Sequence, residues 1–173
     1  MAKLYLVELT PSTDVRSLMS DLADNARANG AELIEAQVTA DRSRVFAILE
    51  ADDPAGVVAA TSDLAAEACE PAQVRLVGAE LADIKAVRPE AGYLVEWDIP
   101  ASIDMDTYLA RKAEKSPLYE QVPEVTFLRT YVREDMAKCL CFYNAPDVNA
   151  VVHAREVVST PIDRLHALDH IEL

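Results

Sequence analysis

Apolar and polar positions along this chain follow two periods, and the switches between them mark out its elements. Residues 3–9 form a β-branched and aromatic run read as a strand. After Thr10-Pro-Ser-Thr13, the apolar positions Val15, Leu18, Met19, Leu22 and Ala26 recur at helical spacing. That predicts a helix capped by Ser12 or Thr13 and stopped by Gly30. Strands at 32–39 and 44–50 flank Asp41-Arg-Ser43, a hairpin turn. A second helix starts near Asp53-Pro54 and runs to about Ala68, and a last strand covers 72–80. The same series then recurs: strand 92–98, helix 104–115 stopped before Pro117, strands 125–133 and 138–144, helix 147–158, strand 162–171. Ala82 to Ala91 reads as a linker.

The recurrence extends to the letters. Tyr5-Leu-Val-Glu8 returns as Tyr93-Leu-Val-Glu96. Phe46-Ala-Ile-Leu-Glu50, followed by an Asp-Pro helix start, has its partner in Leu140-Cys-Phe-Tyr-Asn144. The copies end alike, at Ala79-Glu-Leu81 and Ile171-Glu-Leu173. The register moves from 88 (96 − 8) to 94 (152 − 58), which places about six extra residues in the second copy, most naturally at Ser116–Glu124. Each copy is βαββαβ, the ferredoxin-like plan, whose helices cover one sheet face and leave the other bare. Two copies can bury each other's bare faces. The expected architecture is therefore α+β: tandem ferredoxin-like repeats, 1–81 and 92–173 joined by 82–91, forming an intramolecular pseudo-dimeric α/β barrel around an interior pocket.

Several pieces of the second copy resemble a known family. They are Tyr93-Leu-Val-Glu96, Thr126-Phe-Leu-Arg-Thr-Tyr131, Cys139-Leu-Cys-Phe-Tyr-Asn-Ala-Pro146, a helix with Ala150-Val151 and a histidine, and Pro161-Ile-Asp-Arg164. In order, they are similar to the small actinobacterial dimeric α/β-barrel proteins described as nickel-binding or nickel-responsive. The resemblance covers roughly residues 92–170 and implies the barrel fold and a bound divalent metal, nickel or zinc. The first-strand position here is Glu96 and the helix histidine is His153. With Cys141 these are the candidate metal ligands, the alternative being no cofactor at all.

Charge narrows the partners. The 173 residues carry 30 acidic against 16 basic side chains, a formal net charge of −14, which repels a phosphate backbone. No nucleic-acid partner is expected. No stretch near 20 residues is free of charge, so no membrane span is expected either. The start reads as a strand and the three cysteines are odd in number, which suits a cytoplasmic, reducing compartment. With four glycines and no Gly-x-Gly-x-x-Gly, P-loop, Gly-x-Ser-x-Gly or His-Glu-x-x-His, nucleotide-dependent chemistry is disfavoured. The expected partner is a small-molecule ligand, and the chain acts as a monomer or homodimer.

Strand alternation sorts the candidate site residues. Glu96, Arg129, Tyr131, Cys141 and Tyr143 can all face one cavity, the mixed lining of a small-molecule pocket. Glu96 is the candidate general base, with its pKa raised by burial, while Arg129 and Tyr131 would hold a developing oxyanion. Glu8, Trp97, Phe127, Cys141 and Tyr143 are the candidate ligand contacts. Cys139 and Cys141 share a strand face about 7 Å apart, far for a disulfide and within range of a soft metal. His166 and His170 alternate on one strand face. Two functions stay open: a ligand- or metal-binding barrel, or a cofactor-independent enzyme, a cyclase or isomerase, acting on a small hydrophobic metabolite.

Overall fold

The computed structural model describes residues 2–87 and 91–169. It contains nine strands and five α-helices in an α+β arrangement: β1 (Lys3–Pro11), α1 (Val15–Ala28), β2 (Glu32–Thr39), β3 (Val45–Ala51), α2 (Pro54–Ser62), β4 (Ala66–Ala68), β5 (Ala72–Val77), α3 (Leu81–Val87), β6 (Tyr93–Asp98), α4 (Met105–Lys115), a 3₁₀ helix (Ser116–Gln121), β7 (Thr126–Arg133), β8 (Lys138–Asn144), α5 (Val148–Val157) and β9 (Arg164–Asp169). The chain divides into two compact units, one of Met1–Val74, Leu81–Glu90 and Leu168–Leu173, the other of Arg75–Glu80 and Ala91–Ala167.

Aspartates start all four long helices. Asp14, Asp53, Asp104 and Asp147 each accept a backbone N–H from the first turn: Ser17, Ala55, Thr107 and Ala150. Each carboxylate meets an otherwise orphaned donor at the positive end of the helix. The first cap is therefore Asp14 and not Ser12 or Thr13, because β1 continues in ladder geometry as far as Pro11. Gly30, at φ +76°, closes α1 in the left-handed region that glycine enters without steric cost.

Two other expectations shift. α2 stops at Ser62 instead of reaching Ala68. Thr61 turns its hydroxyl back onto the carbonyls of Val57 and Val58, and Ala66–Ala68 is drawn into pairing with Leu9–Pro11 of β1. Ladder bonds to β1 outweigh the helix preference of alanine there. The segment read as a linker carries α3, whose Ile84 is buried and whose Lys85 reaches Glu50 Oε1 at 2.7 Å. The last strand ends its described course at Asp169, and His170 lies outside the described residues.

Within the first unit β3 lies between β2 and β1, and the far edge of β1 pairs with β5 through Leu4–Leu6 and with β4 through Leu9–Pro11; all these pairings are antiparallel. Within the second unit β8 lies between β7 and β6, and β6 pairs with β9, again antiparallel throughout. Each unit thus has its third strand beside its first and its last strand on the other side of the first. One sheet face in each packs on helices. In the first unit Tyr5, Val7, Leu9, Ala47 and Leu49 meet Leu18, Leu22, Val57 and Ala60. In the second Val95, Trp97, Cys139, Cys141 and Tyr143 meet Tyr108, Val151 and Ala154. The opposite faces are buried as well: Leu6, Phe46 and Ile48 in one unit, Leu94, Glu96, Arg129, Tyr131, Leu140 and Phe142 in the other. Among the described residues, no helix is long and apolar enough to cross a membrane.

Candidate ligand-binding cleft

Pairing register decides which candidate side chains meet. On β6 and β8, Val95 sits opposite Cys141 and Tyr93 opposite Tyr143, whereas Glu96 sits opposite Leu140. Directly opposed residues share a face, so Glu96 lies on one side of the sheet and Cys141 and Tyr143 on the other. Strand β7 adds a second twist. Phe127 opposes Tyr143, but the register slips before Arg129, which opposes Phe142. This bulge at Leu128 reverses the alternation, so Arg129 and Tyr131 join Glu96 while Phe127, Thr130 and Val132 join the cysteines. The expected single cavity holding Glu96, Arg129, Tyr131, Cys141 and Tyr143 is corrected: the sheet divides that set in two.

On the Glu96 side the carboxylate is fully buried and ringed by cations. Lys138 Nζ donates to Oε1 at 2.7 Å, Arg164 Nε to Oε2 at 2.9 Å, and His166 Nε2 is 2.8 Å from Oε2. Burial alone pushes the Glu96 pKa up. Hydrogen bonds from Lys138 and His166, with the charges of Lys138 and Arg164, outweigh it and hold the carboxyl below its ordinary range. The raised pKa expected of a proton-moving Glu96 is thus replaced by its opposite. Arg164 spans Glu96 and Asp98, and its own pKa is raised, first by the bond to Asp98. Arg129 is buried with its guanidinium 4.9 Å from the Phe142 ring centre, and Tyr131 stands edge-on to the same ring. In the first unit Glu8, which ends the stretch Tyr5–Glu8 that matches Tyr93–Glu96 in sequence, takes Arg44 Nη1 at 3.0 Å.

The helix side of the second sheet carries a different cluster. A narrow cleft, with about 30 Å³ of room for the centres of water-sized groups, is walled by Trp97, Tyr108, Tyr119, Cys139 and Cys141 and by Arg111, Lys112, Lys115 and Arg155. α4 supplies Tyr108 and three of the cations, α5 supplies Arg155, and the 3₁₀ helix brings in Tyr119. Arg155 is buried and fixed at both ends: Nη1 donates to the Tyr143 hydroxyl at 3.1 Å and Nη2 to the Pro161 carbonyl at 2.5 Å. Tyr143 and Tyr119 share a hydroxyl contact of 2.6 Å, and Phe127 stacks on Tyr119. Arg111 lies 5.6 Å over the Trp97 ring and Lys112 Nζ 4.3 Å from the centre of Phe127, cation–π placements that hold charge beside aromatic walls. Of the expected ligand contacts, the structure brings Trp97, Phe127, Cys141 and Tyr143 together, and places Glu8 in the other unit.

The two thiols converge. Their sulfurs are 3.9 Å apart, closer than the strand spacing of their backbones suggests, and neither is in a disulfide. The bond from Cys139 lowers the Cys141 pKa well below an ordinary thiol, with help from the charges of Lys112 and Arg155 and the Thr130 hydroxyl at 3.3 Å. The same bond and burial push Cys139 the other way. Burial raises the Tyr143 and Tyr108 hydroxyls, so both stay protonated donors.

The basic residues of α4 and α5 went unread in the sequence, and a signal for them existed. Aligned on their caps, Asp14 and Asp104, Leu18 of α1 corresponds to Tyr108 and Leu22 to Lys112. A lysine in the core-facing stripe of a helix marks a polar interior.

A divalent metal is poorly served by these residues. His153 is exposed on α5, Cys141 is buried beneath the helices, and Glu96 is on the opposite sheet face, bonded to Lys138, Arg164 and His166. The thiols themselves sit among Arg155 and Lys112, which repel a cation. Among the described residues, no group of three or more His, Cys, Asp or Glu is placed to hold a metal ion.

Comparisons with known proteins bear on the second unit and on the fold. Residues 93–168 match the family model of Nickel responsive protein SCO4226-like. Over the whole chain, the fold is similar to that of a candidate chlorite dismutase, with TM-score 0.54 and 16% identity over 97% of this chain and 95% of that one. It is also similar to a candidate monooxygenase of Fusobacterium nucleatum, with TM-score 0.51 and 12% identity over 97% and 91%. A candidate monooxygenase of Lactobacillus acidophilus NCFM aligns at TM-score 0.51 with 9% identity over 97% and 93%. No curated protein sequence matches significantly.

Proposed function

We propose that this protein binds a small organic ligand in the second unit's cleft, without turnover, and that the two units are tandem ferredoxin-like copies of which one has been specialised for binding. The observation that carries the reading is the polar interior of one unit. Arg155 stands where the other unit has Thr61, and Lys112 where it has the core residue Leu22, and charged groups placed there cost stability unless they are paired or a bound partner uses them. Trp97, Tyr108 and Tyr119 offer flat apolar walls, while the tyrosine hydroxyls and basic side chains fix orientation. The cyclase or isomerase alternative needs a free, protonatable Glu96, and Glu96 is instead an ion-paired anion that anchors β6, β8 and β9. The nickel reading draws on the matched family's name, and the dispersal of His153, Cys141 and Glu96 weighs against it.

Trp97 is the chain's only tryptophan and lines the cleft, so it reports occupancy directly. Titration with a library of small aromatic and aliphatic metabolites should yield members that change Trp97 emission and raise the melting temperature together. A library that alters neither would refute the reading. Nickel and zinc, added to protein purified without an affinity tag, should leave the melting temperature unchanged. Stoichiometric stabilisation by either would restore the metal alternative.

A further inference from the structure

We propose that the ligand of this cleft carries an anionic oxygen group, a carboxylate or a tetrahedral oxyanion, and that the guanidiniums of Arg111 and Arg155, which both line the cleft, receive it. The inference rests on the cleft being a ligand site and adds the chemical class of its occupant.

Two orphaned donors point to it. The Nε–H groups of Arg111 and Arg155 are shielded from water and, among the described residues, have no hydrogen-bond acceptor. Buried N–H groups without partners are rare in folded chains, and two on neighbouring arginines of one cleft call for an acceptor. Other donors of these guanidiniums bond to the chain: Arg155 to Tyr143 and Pro161, Arg111 to the Ser159 carbonyl at 2.5 Å. Those bonds hold the planes in place and leave the Nε–H of each unspent. A guanidinium edge presents its donors in the spacing of two anionic oxygens.

Charge supports the same conclusion independently. Acidic residues outnumber basic ones 30 to 16 in this chain, yet the cleft lining holds Arg111, Lys112, Lys115 and Arg155 and no aspartate or glutamate. Such an excess of buried or half-buried cations is sustained by an anion that comes and goes.

The test uses the full chain carrying Cys69→Ser, which removes the exposed thiol, with benzoate, inorganic phosphate and the neutral analogue benzyl alcohol as probes. Trp97 emission and the melting temperature read binding. Benzoate or phosphate should saturate the emission change and raise the melting temperature, while benzyl alcohol binds at least about tenfold more weakly, as loss of a charge-assisted hydrogen bond implies. Saturation by phosphate alone would assign a tetrahedral group, by benzoate alone a carboxylate. Arg111→Gln and Arg155→Gln should each weaken the anion about tenfold or more. Equal binding of benzyl alcohol and benzoate, or benzoate and phosphate affinities unchanged in both variants, would overturn the anionic assignment and leave the cleft a ligand site. Silence from all three probes in the parent chain, read by both signals, would overturn the assignment, and silence across the wider metabolite library would overturn the ligand site itself. The benzoate and benzyl alcohol comparison needs no arginine variant, so a variant that fails to fold leaves the test intact.

Discussion

Two units with the same strand order have opposite interiors. Behind the first sheet, α1 and α2 close on aliphatic side chains: Leu18, Leu22, Val45, Ala47 and Leu49 are essentially inaccessible to solvent. Behind the second, the matching positions carry Tyr108, Lys112, Cys139, Cys141 and Tyr143, and Arg155 replaces Thr61. Thr61 satisfies its hydroxyl within its own helix turn, whereas Arg155 reaches across to Tyr143 and Pro161. A shared topology fixes where the core is and leaves open what fills it. The first unit spends its interior on packing, the second on a polar cluster with a cleft.

The sharpest way to break that contrast is to exchange one residue. Leu22→Lys puts the lysine of α4 into the aliphatic interior of the first unit, where no acceptor waits. It should cost about 3–5 kcal/mol, the range for an uncompensated buried charge, measured by urea unfolding. Tolerance of that lysine would show that the two interiors are less different than their residues.

Next in size is Glu96→Gln. Removing the charge between Lys138, Arg164 and His166 should cost about 3 kcal/mol, again by urea unfolding. The pH dependence has a definite sign. The folded pKa of Glu96 is depressed, so its contribution is fully present above the unfolded carboxyl value, about 4.3, and is lost as pH falls through the lower folded value. The stability gap between parent and variant should therefore be flat above about pH 5 and shrink in stronger acid. A gap that widened on acidification would contradict the ion-paired placement.

Tyr119→Phe removes the hydroxyl contact with Tyr143 and should cost about 1 kcal/mol, with a visible change in Trp97 emission if the cleft relaxes. Smallest is Lys112→Leu, which gives α4 the residue that α1 carries at the matching turn. Lys112 is half-buried, so thermal unfolding should move by less than about 1 kcal/mol, while the response to benzoate or phosphate falls. A large loss of stability instead would mean that Lys112 serves the fold.

Much of the fold was readable because it rests on local chemistry. Aspartate caps, Gly30 and the apolar stripe of α1 announce helix limits within a residue or two. The four-residue match between Tyr5–Glu8 and Tyr93–Glu96 sits on strands that occupy the same place in each unit's pairing order. The misreadings share one cause, which is contact with residues distant in sequence. Ala66–Ala68 has helix-forming letters and becomes strand because β1 offers ladder bonds. The candidate site was split twice: β6–β8 register sets Glu96 opposite Leu140 and away from Cys141, and the unpaired Leu128 in β7, which nothing in Thr126-Phe-Leu-Arg-Thr-Tyr131 marks, moves Arg129 and Tyr131 off the Cys141 face. Arg111, Lys112 and Lys115 look in sequence like the solvated face of an amphipathic helix. Only their neighbours, Trp97 and Phe127, show that this face is partly enclosed.

By itself, then, the sequence determined the elements, their order and their recurrence, since periodicity, caps and turn residues act over a few positions and carry their own energetics. Tertiary structure alone decided which polar groups share a space. Sheet faces are assigned by pairing register, and a single bulge was enough to carry Arg129 and Tyr131 away from Cys141 and leave the cleft to α4 and α5.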